Sequence, residues 1–443
     1  MAQPAAPLSG PSLLRTQGHG TNRRRNQKGR AALELMHRCR ASTTSTQIAE
    51  NVRIKTLSAL EAARRALVAR AGPVRQGLSL LGRIAPLRRF RRGGAFAPPL
   101  KAKFFVTHRC NLACRHCHLW ADQAHPDELS TEEYRSIFER NPALRVISFS
   151  GGEPSLRADL AELIAMAGRS RPAGALVSVN LNGYDPDATV AALRTALAAL
   201  PESVRLIASV SLDGPAGIHD AIRRRDGAHR RALETARRLV ALGDPRLQVR
   251  RNLCVSPFNL QALEQVLADV SASHQPLQVC FYQAAGHYRH QRAHRDLVPG
   301  FKEEMRRRIA TLRRLAPPPD PIGWIFLELA VDFFTRPVAR QVLPCYSGLA
   351  AVSCDPTGRI DPCINYERSM GGLRDFDYRL DALLRSPAAQ RTRAAIAAGA
   401  CPGCWTPNEA YTSILCNLPD PSLATALVRA RLRASPADRR ARP

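Results

Sequence analysis

Cys110, Cys114 and Cys117 stand in the stretch FFVTHRCNLACRHCHLW, spaced C-x3-C-x2-C directly after a strand-like apolar run. Three thiols this close cannot all pair as disulfides, because one is left over and the short spacers strain any ring. They can converge on one metal centre. A cubane iron–sulfur cluster has four irons, and cysteine normally covers all of them. Three ligands leave one iron open, and an open iron can bind a small molecule and do chemistry. The other reading of this loop is a zinc site of three cysteines completed by His108, His116 or His118.

These residues need a scaffold, and the hydrophobic pattern describes one. Phe104-Phe105-Val106 reads as a strand that ends at the cysteine loop. Ser130-Thr131-Glu132-Glu133 is a capping box that opens a helix. Val146–Phe149 reads as a strand, followed by Gly151-Gly152-Glu153-Pro154 and a helix through Ile164. Further strands are expected at Ala175–Val179, Val204–Leu212, Leu247–Val255 and Leu277–Tyr282. Helices are expected near Thr189–Leu200, Arg231–Leu242 and Leu260–Val270. Six β-α units in series predict an α/β fold with a parallel sheet, open or partly closed as a barrel. Chemistry in such folds gathers at the C-terminal strand ends, where each unusual motif here stands.

The 443 residues suffice for two domains with extensions, and 45% hydrophobic content allows a sizeable core. The net charge of +28 is uneven: residues 1–100 hold 19 Lys+Arg against 3 Asp+Glu. Residues 1–50 read as disordered, and 52–90 as a candidate basic amphipathic helix that could rest on an anionic membrane surface. Gly93-Gly94 and Pro98-Pro99 mark a boundary. The expected organisation is a basic extension over 1–100, a core over 101–315, a cysteine-rich domain over 340–420 and a basic tail over 421–443. No run of about 18 apolar residues occurs, so no transmembrane helix is expected. The first residues lack the apolar segment of a secretory signal. Twelve cysteines, mostly in clustered spacings, fit metal ligation in a reducing, cytoplasmic setting better than disulfides. Cys254 and Cys280, inside strand-like runs, read as small buried hydrophobes.

The loop Cys110–Cys117, followed after the next strand by Gly151-Gly152-Glu153-Pro154, resembles the radical S-adenosylmethionine (radical SAM) superfamily. Asn182-Gly183, Ser211-Leu212-Asp213-Gly214 and the stretch Ile218–Arg223 add to the resemblance, which covers about Lys101 to Tyr282. It implies a partial (β/α)6 TIM-like barrel and a 4Fe–4S cluster on Cys110, Cys114 and Cys117, with SAM at the open iron. The reduced cluster would cleave SAM to a 5′-deoxyadenosyl radical, which takes a hydrogen atom from a substrate C–H position. Gly151, Gly152 and Glu153 would meet the methionine amino group, Ser211 the ribose, and Arg223 the SAM carboxylate as a bidentate partner. His116 stands where many members have an aromatic residue near the adenine. Asn182 supports its turn. A flavodoxin or ferredoxin would supply the electron.

The tail resembles the auxiliary-cluster domains called SPASM or twitch. Cys345, Cys363, Cys401 and Cys404 would hold a second 4Fe–4S cluster, with Cys354 and Cys416 as spare or buried thiols; a zinc ribbon is the rival. Ala350–Cys363 reads as a hairpin around Asp355-Pro356-Thr357-Gly358. Such relatives often modify ribosomally made peptides, and others act on lipids, sugars or small molecules. A non-catalytic metal protein with nucleic-acid-binding basic ends is the reading of another class. Charge alone supports only nonspecific phosphate binding, so no specific nucleic acid is expected.

Overall fold

The computed structural model describes residues 82–423 apart from 122–125, 170, 172–173, 272–274, 284–296, 316–317, 319, 336–340 and 419–422. The extension up to residue 81, with most of the candidate 52–90 helix, lies outside the described residues, as does the Arg-rich tail from 424.

Six parallel strands carry the core: β1 (Lys101–Phe105), β2 (Val146–Ser150), β3 (Leu176–Leu181), β4 (Arg205–Ser211), β5 (Leu247–Val255) and β6 (Leu277–Phe281). They lie in sequence order, each parallel to the next. The helices between them are α2 (Thr131–Arg140), α3 (Leu160–Arg169), α4 (Pro186–Ala199), α5 (Ala216–Arg223), α6 (Ala228–Val240) and α7 (Leu263–Ser271); a first helix, α1, covers 82–91. Three strands follow on the other side of β1: β7 (Ala351–Cys354), β8 (Arg359–Asp361) and β9 (Gly371–Gly372). The sheet order is β6-β5-β4-β3-β2-β1-β7-β8-β9, and it is open, ending at β6 and β9.

β7 and β8 are antiparallel and form the expected hairpin. Their attachment was not expected. β7 pairs with β1 in parallel, Lys101 opposite Ala351, so the cysteine-rich region continues the core sheet. Two long helices also escaped the sequence reading: α8 (Leu297–Leu315) and α9 (Pro321–Thr335), on either side of the proline run. They cover β5 and β6 with a second apolar cluster built around Leu253, Phe281, Met305, Phe326 and Phe334.

Alternation along the strands decides where the cavity lies, because successive side chains point to opposite faces. Ala102, Phe104, Ile147, Phe149, Val177, Val179, Leu206 and Ala208 face the helices and form the main core. The opposite face of the same strands carries Lys101, Lys103, Ser148, Ser150, Ser178, Asn180, Ser209 and Ser211. The lumen of the partial barrel therefore carries a row of polar side chains beside apolar ones such as Phe105 and Ile207.

The remaining helices are α10 (Leu380–Arg385), α11 (Pro387–Ala397) and α12 (Pro407–Asn417). Trp405 ties this end to α9: its indole donates to the Phe326 carbonyl at 2.9 Å and stacks on the Phe326 ring. At the other end of the described chain, Ile84 and Leu87 of α1 are buried with Tyr346, Leu349 and Cys416. No helix among the described residues is long and apolar enough to cross a membrane.

Candidate active site

Strand β1 delivers the cysteine loop to the C-terminal end of the sheet. The loop is fixed on three sides. The Trp120 indole donates to the Cys117 carbonyl at 2.8 Å, and Arg115 N donates to the carbonyl of Ile222 in α5 at 2.8 Å. From β2, Gly152 N donates to the Thr107 carbonyl and Glu153 N to the Arg109 carbonyl, each at 2.8 Å.

This contact gives the two glycines a packing reason beyond ligand approach. Gly151 has φ +142°, and a Cβ there would collide with the Thr107 carbonyl oxygen. A Cβ on Gly152 would collide with the carbonyls of His108 and Arg109. The backbone leading into Cys110 lies directly on the Gly-Gly turn.

Cys110, Cys114, Cys117, His116, Gly151, Gly152, Ser211 and Arg223 all line one cavity of about 210 Å³. The structure thus brings together every residue expected around the first cluster and SAM except Glu153. Glu153 is 1% exposed and sits behind the wall. One carboxylate oxygen accepts from Ser155 N and Oγ, the other from Asn182 N at 2.6 Å. Burial raises this carboxyl above its ordinary value, and its hydrogen bonds tie the ends of β2 and β3 together. Asn182 does support its turn, accepting from Tyr184 N, and it also reaches the cysteine loop, donating to Asn111 Oδ1 at 2.7 Å.

Of the run Arg223-Arg224-Arg225, only Arg223 is buried. Its Nε and Nη2 grip one oxygen of Asp213 at 2.8 and 2.7 Å, and Nη1 lies 3.7 Å from Cys114 Sγ. Asp213 is fully buried and was missed as a site residue. Burial would raise its carboxyl, but the Arg223 guanidinium chiefly holds it below the ordinary carboxylate value. Burial drops His219 to about 3, so its ring is neutral, and Nδ1 accepts from Asp213 N at 3.0 Å. Asp220 receives the N–H groups of Gly227 and His229 at the start of α6. Within Ile218–Arg223, His219 and Arg223 both engage Asp213, while Asp220 caps the start of α6. A carboxylate at a strand end ten residues before an arginine was the available signal.

Cys254 and Cys280 also line the cavity, opposite each other on β5 and β6, and are half-buried, so they do more than fill the core.

A second cavity, of about 40 Å³, is lined by Cys345, Cys363, Cys401 and Cys404, with Gln341 and Glu409. Ser347 N donates to Cys345 Sγ at 3.4 Å and Gln341 Nε2 to Cys401 Sγ at 3.2 Å. Cys354 and Cys416 lie elsewhere, as buried thiols in two apolar clusters. The two cavities share a wall. Thr406, Pro407 and Asn408 face the first, while Cys404, Trp405 and Glu409 face the second.

The donor chemistry suits metal clusters. Every cysteine among the described residues is a free thiol. Burial pushes Cys110 and Cys117 up to about 12 and raises Cys114. Burial likewise raises Cys345, Cys363 and Cys404, with the Glu409 carboxylate adding to it. Such groups carry thiolate charge only when a cation replaces the lost water, as iron does. Among the described residues no three Cys, His, Asp or Glu side chains close on a single point as one metal ion would require; a cubane takes its thiolates at separate irons.

Comparison with known proteins agrees with this geometry. The sequence profile of the radical SAM superfamily matches residues 104–270. PqqA peptide cyclase of Xanthomonas campestris pv. campestris is 32% identical over 295 residues, spanning 65% of this chain and 72% of that protein. AdoMet-dependent heme synthase of Nitratidesulfovibrio vulgaris is 32% identical over 165 residues, 36% of this chain and 42% of that one. The structure of Streptococcus suis SuiB bound to precursor peptide SuiA superimposes with a TM-score of 0.46 and 13% identity, covering 67% of each chain. The six-stranded parallel core, the cysteine loop and the sequence matches lead to one family: this chain belongs to the radical SAM superfamily.

Proposed function

We propose that this radical SAM enzyme modifies a C–H position of a peptide, with SAM and substrate meeting in the lumen of the partial barrel. The observation that carries the reading is convergence: three loop cysteines, the Gly-Gly turn, Ser211 and Arg223 line one cavity together with the amides of Asn180, Asn252, Gln278 and Asn408. Amide side chains both donate and accept, which suits peptide groups. The similarity to a peptide cyclase supports the same substrate class.

The cysteines Cys110, Cys114 and Cys117 hold the first cluster. That cluster would supply the one-electron reduction by which SAM is cleaved for hydrogen abstraction. Everything else falls to the protein. Gly151 and Gly152 bring bare backbone to the cavity wall. Glu153 stays behind that wall and holds the turn through Ser155 and Asn182. Asp213 fixes the Arg223 guanidinium, which leaves Nη1 facing the cavity and Cys114. Ser211 and His116 flank the same space and take the ribose and adenine ends of SAM.

Cys345, Cys363, Cys401 and Cys404 hold an auxiliary 4Fe–4S cluster, with Gln341 and Ser347 donating to sulfur. The free thiols and the cluster chemistry fit the reducing cytoplasm, with a flavodoxin or ferredoxin as electron donor. Of the candidate membrane-contacting stretch 52–90, residues 52–81 lie outside the described residues, and the last part, in α1, packs against Tyr346 and Leu349.

The test is an anaerobic incubation of reconstituted enzyme with SAM, dithionite and a small peptide encoded beside this gene, the peptide bearing deuterium on its side chains. Deuterium should appear in 5′-deoxyadenosine and the peptide should change mass. SAM cleavage with no deuterium transfer from the peptide would count against the substrate assignment.

A further inference from the structure

Lys103 projects from the middle of β1 into the lumen and lines the active-site cavity at 7% exposure. Among the described residues its ammonium has no hydrogen-bond or ion-pair partner; the nearest recorded contact is the Phe105 ring, 5.3 Å from Nζ. Its neighbour on the same face differs. Lys101 Nζ donates to the Asn408 carbonyl at 2.7 Å. The nearby acid is also occupied: Glu409 accepts from Thr406 Oγ1 and from Asn408 Nδ2. Burying an ammonium without an anion is costly, and here burial drives the lysine below its ordinary value.

A second group in the same cavity is unmatched in the complementary sense. Asn252 Oδ1 is a buried acceptor with no hydrogen-bond donor. The cavity therefore offers a cation that the Glu409 carboxylate favours only at a distance, with no ion pair, and an acceptor without an N–H. A peptide bearing a carboxylate supplies both.

Resting on the peptide reading above, we propose that Lys103 is a specificity-determining residue that binds a carboxylate of the substrate, with Asn252 taking an N–H of the same peptide. The preferred substrate is an acidic peptide. The carboxylate belongs either to an Asp or Glu side chain or to a peptide C-terminus. Lys103 stands on β1 and Asn252 beside Ser211 on the neighbouring strand, so the SAM-affinity measurement below separates a substrate carboxylate from that of SAM.

The experiment is a ligand-observed NMR titration of the oxidised, cluster-loaded, SAM-bound enzyme, without turnover. Three probes separate the sources: acetyl-Gly-Glu-Gly-amide, acetyl-Gly-Gln-Gly with a free C-terminus, and neutral acetyl-Gly-Gln-Gly-amide. Wild type should bind one of the two charged peptides about tenfold more tightly than the neutral one, the size of one charge-assisted hydrogen bond. Lys103→Met should erase that preference, and Lys103→Arg should keep part of it. If the Met variant fails to load clusters, Lys103→Gln serves in its place. SAM affinity is measured alongside. Equal binding of all three probes by wild type, a preference that survives in Lys103→Met, or a tenfold loss of SAM affinity in that variant would each overturn the proposal. Failure of wild type to bind SAM at all would instead strike the function itself.

Discussion

At Gly152 the chain has no room for a methyl group, because the carbonyls of His108 and Arg109 occupy that space. Gly152→Ala should push the cysteine loop off the β2 end, so iron incorporation at the first site should fall severalfold while the second site still fills; unchanged iron content would refute the packing argument. The Asp213–Arg223 pair is the other strong point. Removing one partner of a buried ion pair typically costs about 3–5 kcal/mol, whereas replacing both with apolar groups costs much less. Asp213→Asn should therefore destabilise the enzyme more than the double change Asp213→Leu with Arg223→Met, in urea unfolding followed by circular dichroism. The reverse order would mean the pair is not a desolvated unit. Much at this scale was legible beforehand. The C-x3-C-x2-C and Gly-Gly-Glu motifs are local, and short spacing forces neighbours together. Glu153 and Asp213 were harder: a carboxylate's partner depends on which strand end lies beside it, and Glu153 faces Ser155 and Asn182 where the sequence suggested a ligand.

β1 is the element on which the site depends, since it pairs with β2 on one side and β7 on the other. Its two lumen lysines make its contribution pH-dependent. Burial lowers Lys101 from 10.5 to about 8. The unfolded chain thus keeps that proton to higher pH than the folded one. Stability from this group rises as pH goes from about 8 to 10.5, by about 3 kcal/mol at most. Urea midpoints of wild type measured against Lys101→Met should diverge in wild type's favour across that window; parallel curves would show that Lys101 is not desolvated. The β-α units themselves were readable, because apolar runs of four to nine residues alternate with helical periodicity. The pairing of β7 with β1 was not. It joins residues far apart in sequence, and a four-residue strand, Ala351–Cys354, carries no mark of its partner.

The two cavities, one at the mouth of the barrel and one in the tail, share the wall formed by residues 404–409. Cys404→Ala should accordingly remove about half the iron and abolish substrate conversion, while some SAM cleavage continues. The N-terminal boundary is the other whole-molecule feature. Ile84 and Leu87 are 2% and 1% exposed against Tyr346 and Leu349, so the folded part begins before the Gly93-Gly94 boundary. Truncation at residue 95 should cost about 3 kcal/mol relative to truncation at residue 81 through those two side chains. Equal stability of the two truncated chains would place α1 outside the fold. The central claim concerns the cysteine loop, and one measurement addresses it most directly: 5′-deoxyadenosine released from SAM after dithionite reduction of the anaerobically reconstituted enzyme. Wild type should release it and Cys114→Ala should release none, whereas equal release from both would contradict the assignment of Cys110, Cys114 and Cys117 as the ligands of the SAM-cleaving cluster.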